Sequence, residues 1–207
     1  MEPFTKLTAV AAPIDIPNVD TDMIIPARFL RRQRGSGYGG FAFYDIRYDS
    51  EGNEREDFIL NKPPYRNAKI LIAGANFGCG SSREGAVYAL YDFGIRAVIA
   101  SSFGDIHYAN ELQNGMLPIV LPEAVVQGLR RQLHERPGAQ MSIDLQAQRV
   151  SDSADKAFHF DIDPIYKERL LKGLDDIALV MQNIGEIEAY EQRRREQMPW
   201  LAESSQI

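Results

Sequence analysis

Residues 69–100 read KILIAGANFGCGSSREGAVYALYDFGIRAVIA. Lys69–Ala73 is a short apolar run of the kind that forms a buried strand. Gly74–Gly80 is too rich in glycine for regular structure. Ser81-Ser82-Arg83-Glu84 matches a capping box, in which a serine oxygen accepts from the third helical N–H while the glutamate reaches back. Ala86, Ala89, Leu90 and Phe93 then recur at helical spacing, Gly94 supplies a stop, and Ile95–Ala100 is a second buried strand. The pattern repeats: Ser102 with Asp105 predicts another helix start, Gly115 its end, and Leu117–Leu121 a third strand. Continuous apolar strands alternating with helices predict a parallel α/β sheet. Ligands in such sheets bind beyond the carboxyl ends of the strands, where both serine-started loops fall.

On the N-terminal side, residues 5–14 alternate enough to predict a strand. Asn18-Val19-Asp20-Thr21-Asp22 is turn-like, because its carboxamide and carboxylate side chains compete for backbone partners. Four arginines lie between Arg28 and Arg34, followed by a flexible segment, Gly35-Ser36-Gly37-Tyr38-Gly39-Gly40. On the C-terminal side, residues 123–136 form a helix. Residues 142–150 and 158–162 predict one β-hairpin around 151–155. Pro164 opens a helix that Gly173 closes, and Glu186–Gln197 is a charged helix whose end frays. No internal repeat beyond the two βα units is apparent.

The 207 residues allow one domain with extensions and a substantial core. At 44% hydrophobic and 25% charged, the composition is that of an ordinary globular protein and disfavours disorder or coiled coil. No run approaches the ~20 apolar residues needed to span a bilayer. The N-terminus lacks the layout of a secretory signal, so a bacterial-type cytoplasm is expected. The single cysteine, Cys79, excludes an intrachain disulfide and cannot alone hold zinc or an iron–sulfur cluster. The net charge of −6 argues against broad nucleic-acid binding.

The segment Gly78-Cys79-Gly80-Ser81-Ser82-Arg83 is the leading candidate site. Glycines let backbone N–H groups approach a ligand, a helix N-terminus favours negative charge, and Arg83 can grip a carboxylate at two points. The competing reading is that Ser81 and Glu84 only cap a helix. The dinucleotide fingerprint fails because position 83 is arginine, and no Gly-Lys-Ser/Thr marks a phosphate loop. Cys79 is either a thiol activated near a helix N-terminus or a small buried residue. Asp20 and Asp22 either orient a basic group or make an Asx-turn. Arg28, Arg31, Arg32 and Arg34 either face an anion or form a solvated basic face. His107 is either an acid–base group or a helix-surface histidine, and Arg193–Arg195 is a solvated helix end.

The chain resembles the family of 3-isopropylmalate dehydratase (isopropylmalate isomerase) small subunits, which correspond to the swivelling last domain of aconitase. The resemblance is carried by Asn18–Asp22 with Ile24-Ile25-Pro26 and Phe29-Leu30, by Asn76–Glu84, by Ala100–Ile106, and by Asn114-Gly115 with Leu117-Pro118. Gly173-Leu174-Asp175-Asp176-Ile177 is a later echo. The similarity spans nearly the whole chain, in order.

That resemblance implies a swivelling α/β domain, a mixed, mostly parallel sheet flanked by helices. It would occupy residues 1–207 as one domain, with a core of about 5–182 and a charged helix and tail over 183–207. It implies a hydro-lyase of leucine biosynthesis that isomerises 2- and 3-isopropylmalate through an unsaturated intermediate, in a heterodimer or higher assembly with a large subunit. The [4Fe–4S] cluster is expected on that large subunit, where iron acts as Lewis acid on the departing hydroxyl; this chain supplies none of its ligands. By the same resemblance, Ser81 as alkoxide removes the carbon-bound proton. Arg83, Ser82 and Gly80 bind the dicarboxylate, Asp22 supports them, and Phe29 to Arg32, with Phe29 and Arg31 foremost, select the substrate's side group. The chain departs from the usual family pattern at Gly85, where histidine is usual, at Phe103–His107, where Phe-Ala-Asp-Ile-Phe is usual, and at Glu168-Arg169 in place of a His-Cys pair. Two alternatives stand beside this reading: a related hydro-lyase acting on another 2-substituted malate or citrate-like acid, and a non-catalytic carboxylate-binding or regulatory subunit.

Overall fold

A computed structural model describes residues 1–35 and 37–201. Ser36, within the glycine-rich segment, and the end of the expected tail, 202–207, lie outside the described residues. The chain divides into two units, Met1–Gly173 and Leu174–Ile207. The second contains α7 (Asp176–Met181) and α8 (Ile184–Gln197), which includes the expected charged helix. The first carries the sheet and the candidate site.

In that unit β1 (Lys6–Pro13) is followed by two short helices, α1 (Thr21–Ile24) and α2 (Tyr44–Arg47). Then come β2 (Ile70–Ile72), α3 (Glu84–Phe93), β3 (Ala97–Ala100), α4 (Asp105–Gln113), β4 (Leu117–Val120) and α5 (Glu123–Glu135). Three antiparallel strands follow, β5 (Gln140–Asp144), β6 (Arg149–Ser151) and β7 (Ala157–His159), before α6 (Pro164–Lys172). The seven strands form one sheet in the order β4-β3-β2-β1-β5-β6-β7. Pairings from β4 to β1 are parallel, and those from β1 to β7 are antiparallel. The apolar runs fit this placement: β2 and β3 are buried at every residue, as central parallel strands covered on both faces require. Pro118, which cannot donate to a ladder, sits on β4 at the edge of the sheet.

Alternation along β2 sends its side chains to two cores. Leu71 packs with Ala86, Ala89 and Leu90 of α3 on one face. Ile70 and Ile72 pack with Val126, Leu129 and Leu133 of α5 on the other. Each such fully buried aliphatic side chain contributes ~1.5–3 kcal/mol. Both α3 and α4 are thereby fixed with their N-termini beyond the carboxyl ends of β2 and β3. Gly94 and Gly173, both left-handed, close α3 and α6 as their positions predict.

Three local expectations are corrected. The run 142–150 is not one strand: Asp144 accepts from the Ala147 N–H at 2.8 Å and Gln148 is left-handed (φ 52°), so the chain makes two hairpins instead of one. The segment 35–40 is no flexible linker over its second half. Tyr38–Phe41 forms a 3-10 turn with Tyr38 and Gly39 buried, and a Cβ on Gly39 would come within 2.3 Å of the Phe93 backbone nitrogen. That glycine serves close packing on the end of α3. The helix starts at Ser81 and Ser102 are also misplaced. α3 begins at Glu84 and α4 at Asp105, with no side-chain cap on either.

Candidate active site

Three of the segments singled out in the sequence meet beyond the carboxyl ends of β2 and β3. Loop 76–81 lies between them, bridged to one side by Asp20 pairing with Cys79 and to the other by Phe77 pairing with Phe103. The Gly78 N–H donates to Val19 at 2.7 Å, the Thr21 N–H to Cys79 at 3.1 Å, and the Gly104 N–H to Phe77 at 2.9 Å. Side chains add to the frame. The Thr21 hydroxyl donates to the Ser81 carbonyl at 2.8 Å, and the Ser102 hydroxyl accepts from the Asn76 N–H at 2.8 Å. Ser102 is thus a loop tie, and Asp20 caps α1 by accepting from Met23 at 2.7 Å.

The glycines are there for more than ligand access. Gly78 has φ +70°, and a Cβ on it would lie 2.1 Å from Cγ of His107. A Cβ on Gly104 would lie 2.6 Å from the Gly78 carbonyl oxygen. The two loops approach so closely that neither position can carry a side chain.

Freed from capping, Ser81 and Ser82 are exposed and line a cavity of about 190 Å³ with Thr21, Gly80, Arg83 and His107. The backbone N–H groups of Ser81, Ser82 and Arg83 make no hydrogen bond with the described residues, and they stand at the positive end of α3. Arg83 is largely buried, with its guanidinium ion-paired to the more exposed Asp22 carboxylate. Glu84 does not reach back as a capping box requires; its carboxylate accepts from the Asn114 amide at 3.0 Å.

The structure therefore brings together Gly80, Ser81, Ser82, Arg83 and Asp22. Phe29 and Arg31 do not line this cavity. Phe29 stacks on Phe41 with ring centroids 4.3 Å apart, and Arg31 is exposed. Arg28 and Arg34 are held by Asp45 and Asp92 on the surface. Cys79 is half-buried with its thiol 3.6 Å from the Asn18 carbonyl. A larger cavity, about 320 Å³, opens near Pro13, Phe58 and His134 and contains none of the motif residues.

Two of the sequence expectations take on a different meaning. His107, expected on a helix surface, is 3% exposed, and Glu111, one turn on, is fully buried. The Nε2 of His107 lies 3.0 Å from Glu111 Oε1, within ion-pair range but without the alignment of a full hydrogen bond. Burial raises the Glu111 carboxyl above its ordinary value, with His107 pulling the other way. Gly85 is also explained: a Cβ there would come 2.9 Å from Leu30 Cδ2 and 3.0 Å from the Tyr38 hydroxyl. Glycine carries a ~1 kcal/mol helix penalty there relative to alanine. Among the described residues, no group of three or more His, Cys, Asp or Glu could hold a metal ion, and no helix is long and apolar enough to cross a membrane.

Comparison with known proteins agrees with this geometry. The aconitase C-terminal domain family matches residues 1–124, and LeuD_N matches 127–164. The C-terminal domain family of 3-isopropylmalate dehydratase small subunits matches 176–204. The 3-isopropylmalate dehydratase small subunit of Ruegeria sp. (strain TM1040) is 50% identical over 201 residues, covering 97% of this chain and 100% of the relative. That of Rhodospirillum centenum is 52% identical over 200 residues, covering 97% and 98%. A crystal structure of 3-isopropylmalate dehydratase (leuD) from Methanocaldococcus jannaschii superposes with a TM-score of 0.63 at 27% identity, covering 90% of this chain and 99% of that one. The fold is thus that of the aconitase C-terminal class, a mixed α/β sheet flanked by helices. Within that class, the chain belongs to the family of 3-isopropylmalate dehydratase small subunits.

Proposed function

We propose that this chain is the small subunit of a 3-isopropylmalate dehydratase, a hydro-lyase of leucine biosynthesis that interconverts 2- and 3-isopropylmalate by loss and return of water. The observation that carries the reading is the cavity in which Ser81, Ser82 and Arg83 converge beside unpaired backbone N–H groups.

In this reading Arg83 receives a carboxylate of the substrate, its guanidinium held in position by Asp22. Ser82 and Gly80 complete the binding surface. Ser81 takes the carbon-bound proton. A serine hydroxyl is a poor base in water, and its oxyanion is stabilised here by the N–H groups of the loop, the positive end of α3 and the nearby guanidinium. Gly85 leaves room for the side-chain ends of Leu30 and Tyr38.

A cavity of about 190 Å³ is smaller than the ~300–1,000 Å³ of self-sufficient small-molecule sites. It suits half of a site closed by a second chain. That partner is the large subunit, which would carry the [4Fe–4S] cluster and supply Lewis-acid chemistry at the departing hydroxyl. The assembly is expected in the cytoplasm.

The test is anaerobic reconstitution with the cognate large subunit and 3-isopropylmalate. Formation of the unsaturated intermediate, absent when either subunit is omitted, supports the reading. Assembly without turnover of 3-isopropylmalate overturns the assigned substrate, and no assembly overturns the partnership.

A further inference from the structure

His107 and Glu111 are buried ionisable groups with no part in the mechanism above. They occupy successive turns of α4, with Nε2 and Oε1 3.0 Å apart. Their placement is not symmetric. His107 lines the cavity beside Ser81, Ser82 and Arg83, whereas Glu111 does not line it and is fully buried. Phe77 packs edge-on against the imidazole, with centroids 5.5 Å apart, and Gly78 lies against the same ring.

The electrostatics of the cavity give this arrangement a use. Its side-chain cation is Arg83, already compensated by Asp22, and Asp105 adds a further negative charge to the lining. A dicarboxylate entering there would meet no net positive side-chain charge. His107 is the other cation-capable group in the lining. A buried histidine–carboxylate pair that holds one proton is electrically neutral overall, which avoids most of the cost of burying a charge. It is nonetheless a dipole, and fixed dipoles in a water-poor site act strongly on a bound anion.

We propose that His107 and Glu111 form an ion pair that carries one titratable proton, an oriented dipole with its positive end at the cavity, so that His107 is a positioning residue for the anionic ligand. The inference rests on the dicarboxylate reading of the site. Tyr108 on α4 is coupled to Glu111, and the cavity that His107 lines also holds Asp105 of α4 and, just before α3, Arg83 with its partner Asp22 of α1. From α6 and its cap, Tyr166 and Asp163 act on Tyr108. Tyr108 is kept protonated chiefly by burial, with Glu111 adding to the effect.

Two measurements test it. In the reconstituted complex, Glu111→Gln and the volume-keeping pair His107→Phe with Glu111→Leu should each raise KM for 3-isopropylmalate about 10-fold. Effects on kcat should be smaller. The alkaline rise of KM should move to lower pH in Glu111→Gln and vanish in the double variant. Wild-type KM and pH dependence in the double variant would reduce the pair to packing and overturn the proposal. Independently of turnover, nitrogen-15 NMR of the full chain can follow the His107 ring beside His134 and His159. Glu111→Gln should change the ring-nitrogen shifts of His107, with those of His134 and His159 unchanged. Unaltered His107 shifts overturn the ion pair even if the complex proves to act on a different acid. Absent wild-type turnover together with changed His107 shifts would overturn the functional reading and leave the pair standing.

Discussion

The guanidinium of Arg83 is ion-paired to the carboxylate of Asp22, 61 residues earlier in the chain. One partner leads into α3 and the other belongs to α1, so the pair ties two of the motif segments across the mouth of the cavity. It also fixes the orientation of the fork that would receive a substrate carboxylate. Asp22→Asn should therefore raise KM for the dicarboxylate by roughly 3- to 10-fold, about 0.7–1.4 kcal/mol, because the exposed carboxylate leaves the pair partly screened. Arg83→Lys should cost more, since a single ammonium cannot reproduce two-point binding. Steady-state kinetics of the reconstituted enzyme checks both.

Ser81→Ala removes one hydroxyl from an exposed position whose backbone is held through its carbonyl by Thr21. Turnover should fall by about 10²–10⁴-fold, the usual contribution of a positioned proton-transfer group. Assembly with the large subunit, read by size-exclusion chromatography, should be unchanged. Retained turnover would remove Ser81 from the role given to it.

Gly78→Ala places a Cβ against the His107 ring at a backbone angle that L-residues adopt reluctantly. Left-handed strain and overpacking together predict a loss of ~2–4 kcal/mol in urea denaturation. Gly40→Ala, where a Cβ would meet nothing within 4 Å, is the matched control and should change stability little.

The Glu111 carboxyl titrates above its ordinary 4.5 in the folded protein because burial disfavours its charge. The native state then holds the proton more tightly than the unfolded chain. Stability from this group is full below the unfolded value and is lost as pH rises through the folded one. Glu111→Gln should thus gain on wild type as pH is raised, in denaturation curves compared between acid and alkaline pH. Surface carboxylates with lowered values, such as Asp45 and Asp144, have the opposite sign and are common to both proteins.

The parallel half of the sheet is legible in the sequence because β2, β3 and β4 are continuous apolar runs separated by helical spacing and glycine stops. The antiparallel half is less so, because the break at Leu145–Gln148 depends on an Asp144 side-chain bond inside an otherwise alternating run. At the site, the Ser-Ser-Arg-Glu string fits a capping box, yet Arg83 stays extended (φ −145°) and the helix starts one residue later. The burial of His107 escapes sequence reasoning for a physical reason. On α4 the apolar Ile106 is exposed while the ionisable His107 and Glu111 are buried beside Leu112, which runs against hydrophobic patterning. The available signal is the spacing itself: two complementary ionisable residues at i and i+4, in line with a core leucine.

The close fit of Gly78 under the His107 ring has a bearing on how this family diverges. Position 78 does carry a side chain in effect; it is donated by position 107, 29 residues downstream. Sequence drift at either place is then constrained by the other. Relatives with a ring at 107 should retain glycine at 78, and the left-handed backbone there (φ +70°) favours glycine even where residue 107 is small. Of the two demands on position 78, the ring above it and its left-handed backbone, an exchange at 107 relieves only the first.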